Sequence, residues 1–288
     1  MRPDNLNTKI FLDGGDPGET RSIVEAIGFL DGQTTNPTLI SKNPHVQKRL
    51  EKGEYFTEQE ILENYKSIVS ELSQLLPDGS ISIEVNADEK TKAEAMLSQA
   101  RKMFSWIPNA HIKFPTTYEG LAAAAQAIKE DMRVNMTLCF TQEQAAAVHG
   151  ATGGAHRGSV FVSPFVGRLD DMGYDGMELV QNIMQMYQSE QSHVETLVAS
   201  VRSMEHFMFS LHLQANIVTC PFKLLKEWAD NGMPMPDKDY KYDTSPFKPI
   251  PYKEINGTIP WKEIRFRHEL IDKGLESFAR DWTKLTGK

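Results

Sequence analysis

Lys113 is the residue with the most direct route to covalent chemistry in this sequence. It lies in His111-Ile-Lys-Phe-Pro115, where Ile112 and Phe114 share one parity and Lys113 takes the other. An amine adds to a ketone only when uncharged, and a solvated lysine with a pKa near ~10.4 is neutral in fewer than about one molecule in a thousand at pH 7. Enclosure in a low-dielectric interior disfavours the ammonium form. A neutral amine so enclosed can form an imine, and the protonated imine accepts the electron pair released when a carbon–carbon bond breaks. The accompanying proton transfers call for a carboxyl group and a relayed water. Asp13, closing Lys9-Ile-Phe-Leu-Asp13, and Glu84, in Ser80-Ile-Ser-Ile-Glu-Val85, can supply them, with Thr137 holding the water. A nearby carboxylate favours the charged lysine, so Asp13 and Glu84 are not both expected to pair tightly with Lys113.

The same alternation marks other polar side chains. Val134, Met136 and Leu138 oppose Asn135 and Thr137; Ile81, Ile83 and Val85 oppose Ser80, Ser82 and Glu84; Ser200 and Arg202 share parity. Taken singly these have ordinary explanations. A strand lysine can sit at a sheet edge, Glu84 can be its ion-pair partner, and Asn135 and Thr137 can be satisfied core groups. Taken together, Asp13, Glu84, Lys113, Asn135, Thr137, Ser200 and Arg202 would point into one cavity, at about 1–3 kcal/mol for each buried group left unpaired. A structural core does not normally carry that load. Ser163-Pro-Phe-Val-Gly-Arg168 and Ser200-Val-Arg202 add two arginines and a serine suited to a phosphate, which guanidinium binds in bidentate fashion. Pairing of Arg168 with Asp170 or Asp171 is the competing reading. The eight histidines show no metal-binding spacing, His149 and His156 flank a Gly-rich stretch read as surface, and no metal site is expected.

Short apolar or β-branched runs alternate with helical patterns. The runs are Lys9–Asp13, Gln33–Asn36, Ser80–Val85, His111–Pro115, Val134–Phe140, Ser159–Pro164, Thr196–Val201 and Asn216–Pro221. Helix-like stretches between them include Thr91–Phe104, Tyr118–Glu130, Thr141–His149, Gly176–Tyr187 and Met204–Leu213. Eight such units predict an α/β fold, a (β/α)₈ TIM barrel with the site at the C-terminal strand ends. A doubly wound open sheet is the alternative, but Gly14-Gly15-Asp16-Pro17-Gly18 lacks the GxGxxG spacing that would mark a nucleotide loop. The barrel domain is assigned to residues 1–232. Residues 233–288 form a connector with Pro234, Pro236, Pro246, Pro249, Pro251 and Pro260, then an amphipathic helix over Trp261–Leu285, packing on the barrel or a neighbouring subunit.

Hydrophobic residues make up 40% and charged residues 24% of the 288, an ordinary globular balance. The formal charge of −8 argues against a nucleic-acid or anionic-membrane surface, so an anionic substrate must be gripped by a few placed cations. Cys139 and Cys220 sit in apolar runs and read as buried reduced thiols. With no apolar run near ~18 residues and no secretory leader, the chain is expected to be cytoplasmic and not a membrane protein. A homo-oligomer is left open.

The motifs Phe11-Leu-Asp13, Thr34-Thr-Asn-Pro-Thr38, Glu84-Val85, Ile112-Lys-Phe-Pro115, Asn135-Met-Thr-Leu138, Ser163–Arg168 and Ser200-Val-Arg202 resemble the transaldolase family from about Lys9 to Trp228. The resemblance implies Lys113 as Schiff-base lysine, Asp13 as acid/base, and Glu84 with Thr137 as holders of the catalytic water. It implies Asn36, Asn135 and Ser163 at the sugar hydroxyls, and Arg168, Ser200 and Arg202 at the phosphate. The implied reaction moves a dihydroxyacetone unit from sedoheptulose 7-phosphate or fructose 6-phosphate to an aldose phosphate, in the pentose phosphate pathway and without a cofactor. Related fructose 6-phosphate aldolases, which release free dihydroxyacetone, typically carry glutamine and tyrosine where this chain has Glu84 and Phe165, so transfer is favoured. The Gly150–Arg157 loop, Leu211–Gln214 and the Pro-rich C-terminus depart from the family's usual pattern. A non-catalytic sugar-phosphate binder is the alternative from another class.

Overall fold

The computed structural model describes residues 2–257 and 259–287. Eight parallel strands close into a barrel in sequence order: β1 (Lys9–Asp13), β2 (Gly32–Thr34), β3 (Ser80–Glu84), β4 (Ala110–Pro115), β5 (Val134–Cys139), β6 (Val160–Pro164), β7 (Glu195–Val198) and β8 (Ile217–Cys220). The chain is a (β/α)₈ TIM barrel, and β1 pairs with β8 to close it. Around it run α1 (Pro17–Ile27), α2 (Pro37–Ser41), α3 (Pro44–Leu50), α4 (Glu58–Leu75), α5 (Ala93–Phe104), α6 (Tyr118–Lys129), α7 (Gln142–Ala151), α8 (Val166–Asp170), α9 (Gly176–Ser189), α10 (Met204–His212), α11 (Phe222–Asp230) and α12 (Glu269–Leu285).

Local chemistry fixes these boundaries. Asp16 caps α1 by accepting from Gly18 N, with Pro17 in the first turn, and Thr57 and Thr141 close capping boxes with Glu60 and Gln144. Gln144 does more than cap. Its Oε1 accepts from Phe140 N (2.8 Å) and its Nε2 donates to the carbonyls of Thr116 and Leu138, tying the ends of β4 and β5 together. The β5–β6 register shifts between Met136 and Cys139, and Leu138 takes φ +59°, a left-handed conformation costly for a branched side chain. The Gln144 bonds hold that bulge.

Strand residues facing outward are the apolar set, buried against the helices. Inside, the lower barrel is filled by Phe11, His111 and Phe161, with His111 stacked on Phe161 at 4.2 Å and Phe11 edge-on to Phe161 at 6.1 Å. This plug leaves the polar upper layer open only toward the C-terminal strand ends. Lateral register places Asp13 beside Thr34, and Glu84, Lys113 and Asn135 abreast on β3, β4 and β5.

The expected Trp261–Leu285 helix begins only at Glu269. Residues 264–268 have no helical structure; there the Tyr118 hydroxyl donates to Ile264 O (2.9 Å) and its ring stacks on Phe266 at 4.5 Å, and His268 then caps α12. The connector is strapped to its own barrel: Gln142 exchanges two hydrogen bonds with the Lys253 backbone, and Asn182 donates to Ile250 O (2.6 Å). Helix α12 then crosses the barrel mouth beside α2, and its Leu285 carbonyl accepts from Phe56 N (2.8 Å). The α7 helix runs on through Gly150 and Ala151, shortening the loop expected there. Both cysteines are buried free thiols, and no helix among the described residues is long and apolar enough to cross a membrane.

Candidate active site

Lys113 stands inside the barrel, with a side chain 4% exposed. Its Nζ lies 3.0 Å from Glu84 Oε2 and donates to the Thr35 carbonyl at 3.3 Å. The Glu84 contact is a close charge pairing rather than an aligned hydrogen bond, since Oε2 has no partner in hydrogen-bonding geometry. Asp13 exerts a Coulomb pull on Lys113 but forms its hydrogen bond with Thr34, whose hydroxyl donates at 2.6 Å and meets Thr219 Oγ1 at 2.7 Å. One carboxyl thus pairs with the amine and the other is held off. Burial pushes the Asp13 carboxyl above its ordinary pKa against the opposing pull of Lys113, and burial likewise raises Glu84 against Lys113.

Both carboxyls rest on a built frame. Tyr65, fully buried on α4, accepts from Glu84 N (2.9 Å) and meets Thr35 Oγ1 at 2.6 Å, while Thr35 donates to Ser82 O (2.7 Å). Asn135 donates to Ser82 Oγ at 3.1 Å and accepts from Ser163 Oγ at 2.7 Å. Thr137 is fully buried beside this layer, and its Oγ1 has no partner among the described residues. Glu84 Oε2 and Thr137 Oγ1 are thus two buried side-chain oxygens without a hydrogen-bond partner among the described residues.

Above this layer a cavity of about 240 Å³ opens at the strand ends. Asp13, Asn36, Lys113, Ser163, Phe165, Arg168, Ser200 and Arg202 line it. Glu84, Asn135 and Thr137 lie outside that lining; Glu84 reaches it by pairing with Lys113 and Asn135 by accepting from Ser163. Asn36 is not a strand residue: β2 ends at Thr34, and the Asn36 Oδ1 caps α2 by accepting from Leu39 N (2.9 Å), leaving its amide nitrogen for the cavity. Likewise β7 ends at Val198, so Ser200 and Arg202 owe their placement to a turn, with Ser200 at φ +59°. A larger cleft of about 570 Å³ opens at the other end of the barrel between α9 and the entries to β7 and β8, with Gln181, Gln185, Asn216, Met184 and Leu213 in its lining. It gathers no comparable set of ionisable groups.

The two arginines differ. Arg202 is paired with Asp171 at 2.5 Å at the exposed rim, whereas Asp170 is taken by His206 at 2.6 Å. Arg168 makes neither of the pairings weighed from sequence. Its guanidinium contacts the rings of Phe165 and Phe278, at 5.3 and 5.5 Å. Gly167 makes room for its neighbour: a Cβ there would stand 2.5 Å from Ser200 O and 2.6 Å from Arg202 Nε. Gly167→Ala is expected to displace the 200–202 turn, at about 1–3 kcal/mol of overpacking. That would appear as a Tm lowered by roughly 2–10 °C together with a raised KM for phosphorylated substrate. An unchanged KM would show that Arg202 plays no part in binding.

Over residues 10–288 the chain matches the family described as transaldolase/fructose-6-phosphate aldolase. The chain belongs to that family. A probable transaldolase of Dehalococcoides mccartyi is 37% identical over 219 residues, covering 76% of this chain and 89% of the relative. Probable transaldolases of Roseiflexus sp. (strain RS-1) and Caulobacter sp. (strain K31) are 32% and 34% identical, each aligned over 95% of this chain and 96% of the relative. The transaldolase/fructose-6-phosphate aldolase motifs read from sequence therefore fall on one face of one barrel. Sequence reasoning missed Thr34, Thr38 and Thr219 at the cavity wall, and Ser277 and Phe278 from α12. Thr34 and Thr38 were visible in the TTNPT string; nothing local marked the α12 pair. Among the described residues no group of three or more His, Cys, Asp or Glu side chains converges to hold a metal ion.

Proposed function

We propose that this protein is a transaldolase that carries a dihydroxyacetone unit as a Schiff base on Lys113. The observation that carries the reading is a buried amine sharing one cavity with a protonatable carboxyl and two arginines. The neutral Lys113 amine attacks the C2 ketone of a ketose phosphate, and loss of water from the carbinolamine leaves a protonated imine. Glu84 and Thr137 hold the water through which the proton for that loss arrives. Asp13 then takes the proton of the C4 hydroxyl, the C3–C4 bond breaks, and its electron pair is stored as the enamine while the aldose phosphate leaves. An acceptor aldose phosphate enters, C3 attacks its aldehyde, Asp13 returns the proton, and hydrolysis frees Lys113. Positive charge on the imine favours the carboxylate of Asp13 when it must act as base, and burial restores its affinity for the proton afterwards. Asn36 and Ser163 orient the hydroxyls, with Asn135 holding Ser163 in place; Arg168, Ser200 and Arg202 grip the phosphate.

Glu84 and Phe165 support transfer over free aldol cleavage, because the two positions where the related aldolases typically carry glutamine and tyrosine hold a carboxyl and a phenyl ring here. The test is turnover of fructose 6-phosphate with and without erythrose 4-phosphate. Transfer predicts sedoheptulose 7-phosphate formation and little free dihydroxyacetone when the acceptor is omitted. Equal dihydroxyacetone release without acceptor would make the protein an aldolase instead.

Asp13 also links function to stability. Its pKa is raised in the folded state, so the penalty for burying its charge is absent at low pH and grows as pH rises through the folded value. Asp13→Asn is therefore expected to be inactive yet more stable near neutral pH, by about 2–4 °C in Tm for each kcal/mol relieved. The gain should vanish in acid, as a pH series of thermal unfolding would show. A variant less stable at neutral pH than the parent would contradict this placement of the charge.

A further inference from the structure

Helix α12 presents Gly274, Ser277, Phe278 and Asp281 at spacings i, i+3, i+4 and i+7, a single stripe along one face. Every member of that stripe meets the site. A Cβ on Gly274 would lie 2.7 Å from a Leu138 methyl and 2.8 Å from Arg168 Nη1, so the helix backbone rests directly on the arginine. Phe278 lies with its ring 5.5 Å from the Arg168 guanidinium, which is 5.3 Å from the Phe165 ring. Asp281 accepts a hydrogen bond from Thr38, itself a cavity-wall residue, and pins the helix to the loop after β2. Ser277 lines the same cavity as Arg168, Ser200 and Arg202, and its hydroxyl has no protein partner among the described residues.

We propose that α12 is a recognition element and not only a roof: Ser277 donates to the anionic end of the substrate, and Gly274 with Phe278 positions Arg168 to bind it. This rests on the reading of Arg168, Ser200 and Arg202 as the phosphate grip. The physical reason is geometric. Among the described residues Arg168 has no carboxylate ion-pair partner to fix its plane, and a guanidinium held only by its flexible stem would lose rotamer freedom on binding. Contacts with the two rings and with the α12 backbone at Gly274 confine it beforehand. Leu138, turned toward α12 by its left-handed backbone, forms the seat on which Gly274 lies.

The experiment measures kcat and KM for fructose 6-phosphate, and the inhibition constant of inorganic phosphate, in Phe278→Leu, Ser277→Ala and Arg168→Ala. The expected result is a KM raised about 3- to 30-fold in Phe278→Leu and about 10-fold in Ser277→Ala. The phosphate inhibition constant should rise in parallel, with kcat changed less than about twofold, since these contacts are made equally in ground and transition states. Ser277→Ala removes one oxygen from a partly exposed side chain and keeps the test open if Phe278→Leu folds poorly. If Arg168→Ala raises both constants but neither α12 variant does, the helix is only a cover and this inference is wrong. If Arg168→Ala itself changes neither constant, the phosphate grip lies elsewhere and this inference falls with it.

Discussion

Replacing Lys113 by methionine is expected to lower transaldolase turnover on the order of 10⁴-fold or more, the scale on which loss of a covalent nucleophile acts. No other amine is placed to substitute for it: among the described residues the cavity lining holds no second lysine. Methionine keeps the length and apolar stem of the side chain, so packing within the barrel should survive. What changes is the charge balance. Glu84 loses the cation 3.0 Å away that opposes its desolvation, and its carboxyl, already raised, should hold its proton to still higher pH. The folded variant would then lose stability as pH rises above the ordinary carboxylate range, because only the unfolded chain can ionise Glu84 freely. Adding Glu84→Gln should remove that pH dependence without restoring activity. A Lys113→Met enzyme with more than about one hundredth of parental turnover would contradict the covalent mechanism.

Arg168→Ala is the second large effect. Charge-assisted hydrogen bonds to a phosphate are worth about 1.5–3 kcal/mol, so KM for a phosphorylated ketose should rise by roughly 10- to 150-fold. Arg202→Ala should cost less, because Arg202 stands at the exposed rim and already spends part of its capacity on Asp171. Arg168→Lys should recover little, since a point charge cannot reproduce the planar fork in contact with Phe165 and Phe278. Steady-state kinetics on the three variants decides the order. A larger effect from Arg202→Ala than from Arg168→Ala would reverse the assignment of the principal anion contact.

The barrel was legible because parallel strands buried on both faces write apolar runs interrupted by polar residues at even spacing. Asp13 and Lys113 betrayed their cavity by parity, which also turned Glu84 inward, while the register that sets Glu84 beside Lys113 was not legible from it. Parity failed where strands stop. Pro37 starts α2 and turns Asn36 into its cap; the left-handed Ser200 ends the alternation that linked it to Arg202. The β5 bulge likewise turns Leu138 toward α12. The start of α12 was misplaced because the apolar spacing of Ile264 and Phe266 serves docking on Tyr118, not helix formation. Ser277 and Phe278 were hidden for a deeper reason. Their stripe looks like any buried face of an amphipathic helix, and only the crossing over the barrel mouth makes it part of a site.

Borohydride reduction in the presence of fructose 6-phosphate, followed by intact-mass measurement and peptide mapping, tests the central claim most directly. The expected product is one reduced dihydroxyacetone unit per chain, attached to the peptide containing Lys113 and absent from Lys113→Met. Full turnover with no adduct, or an adduct on any other lysine, would contradict it.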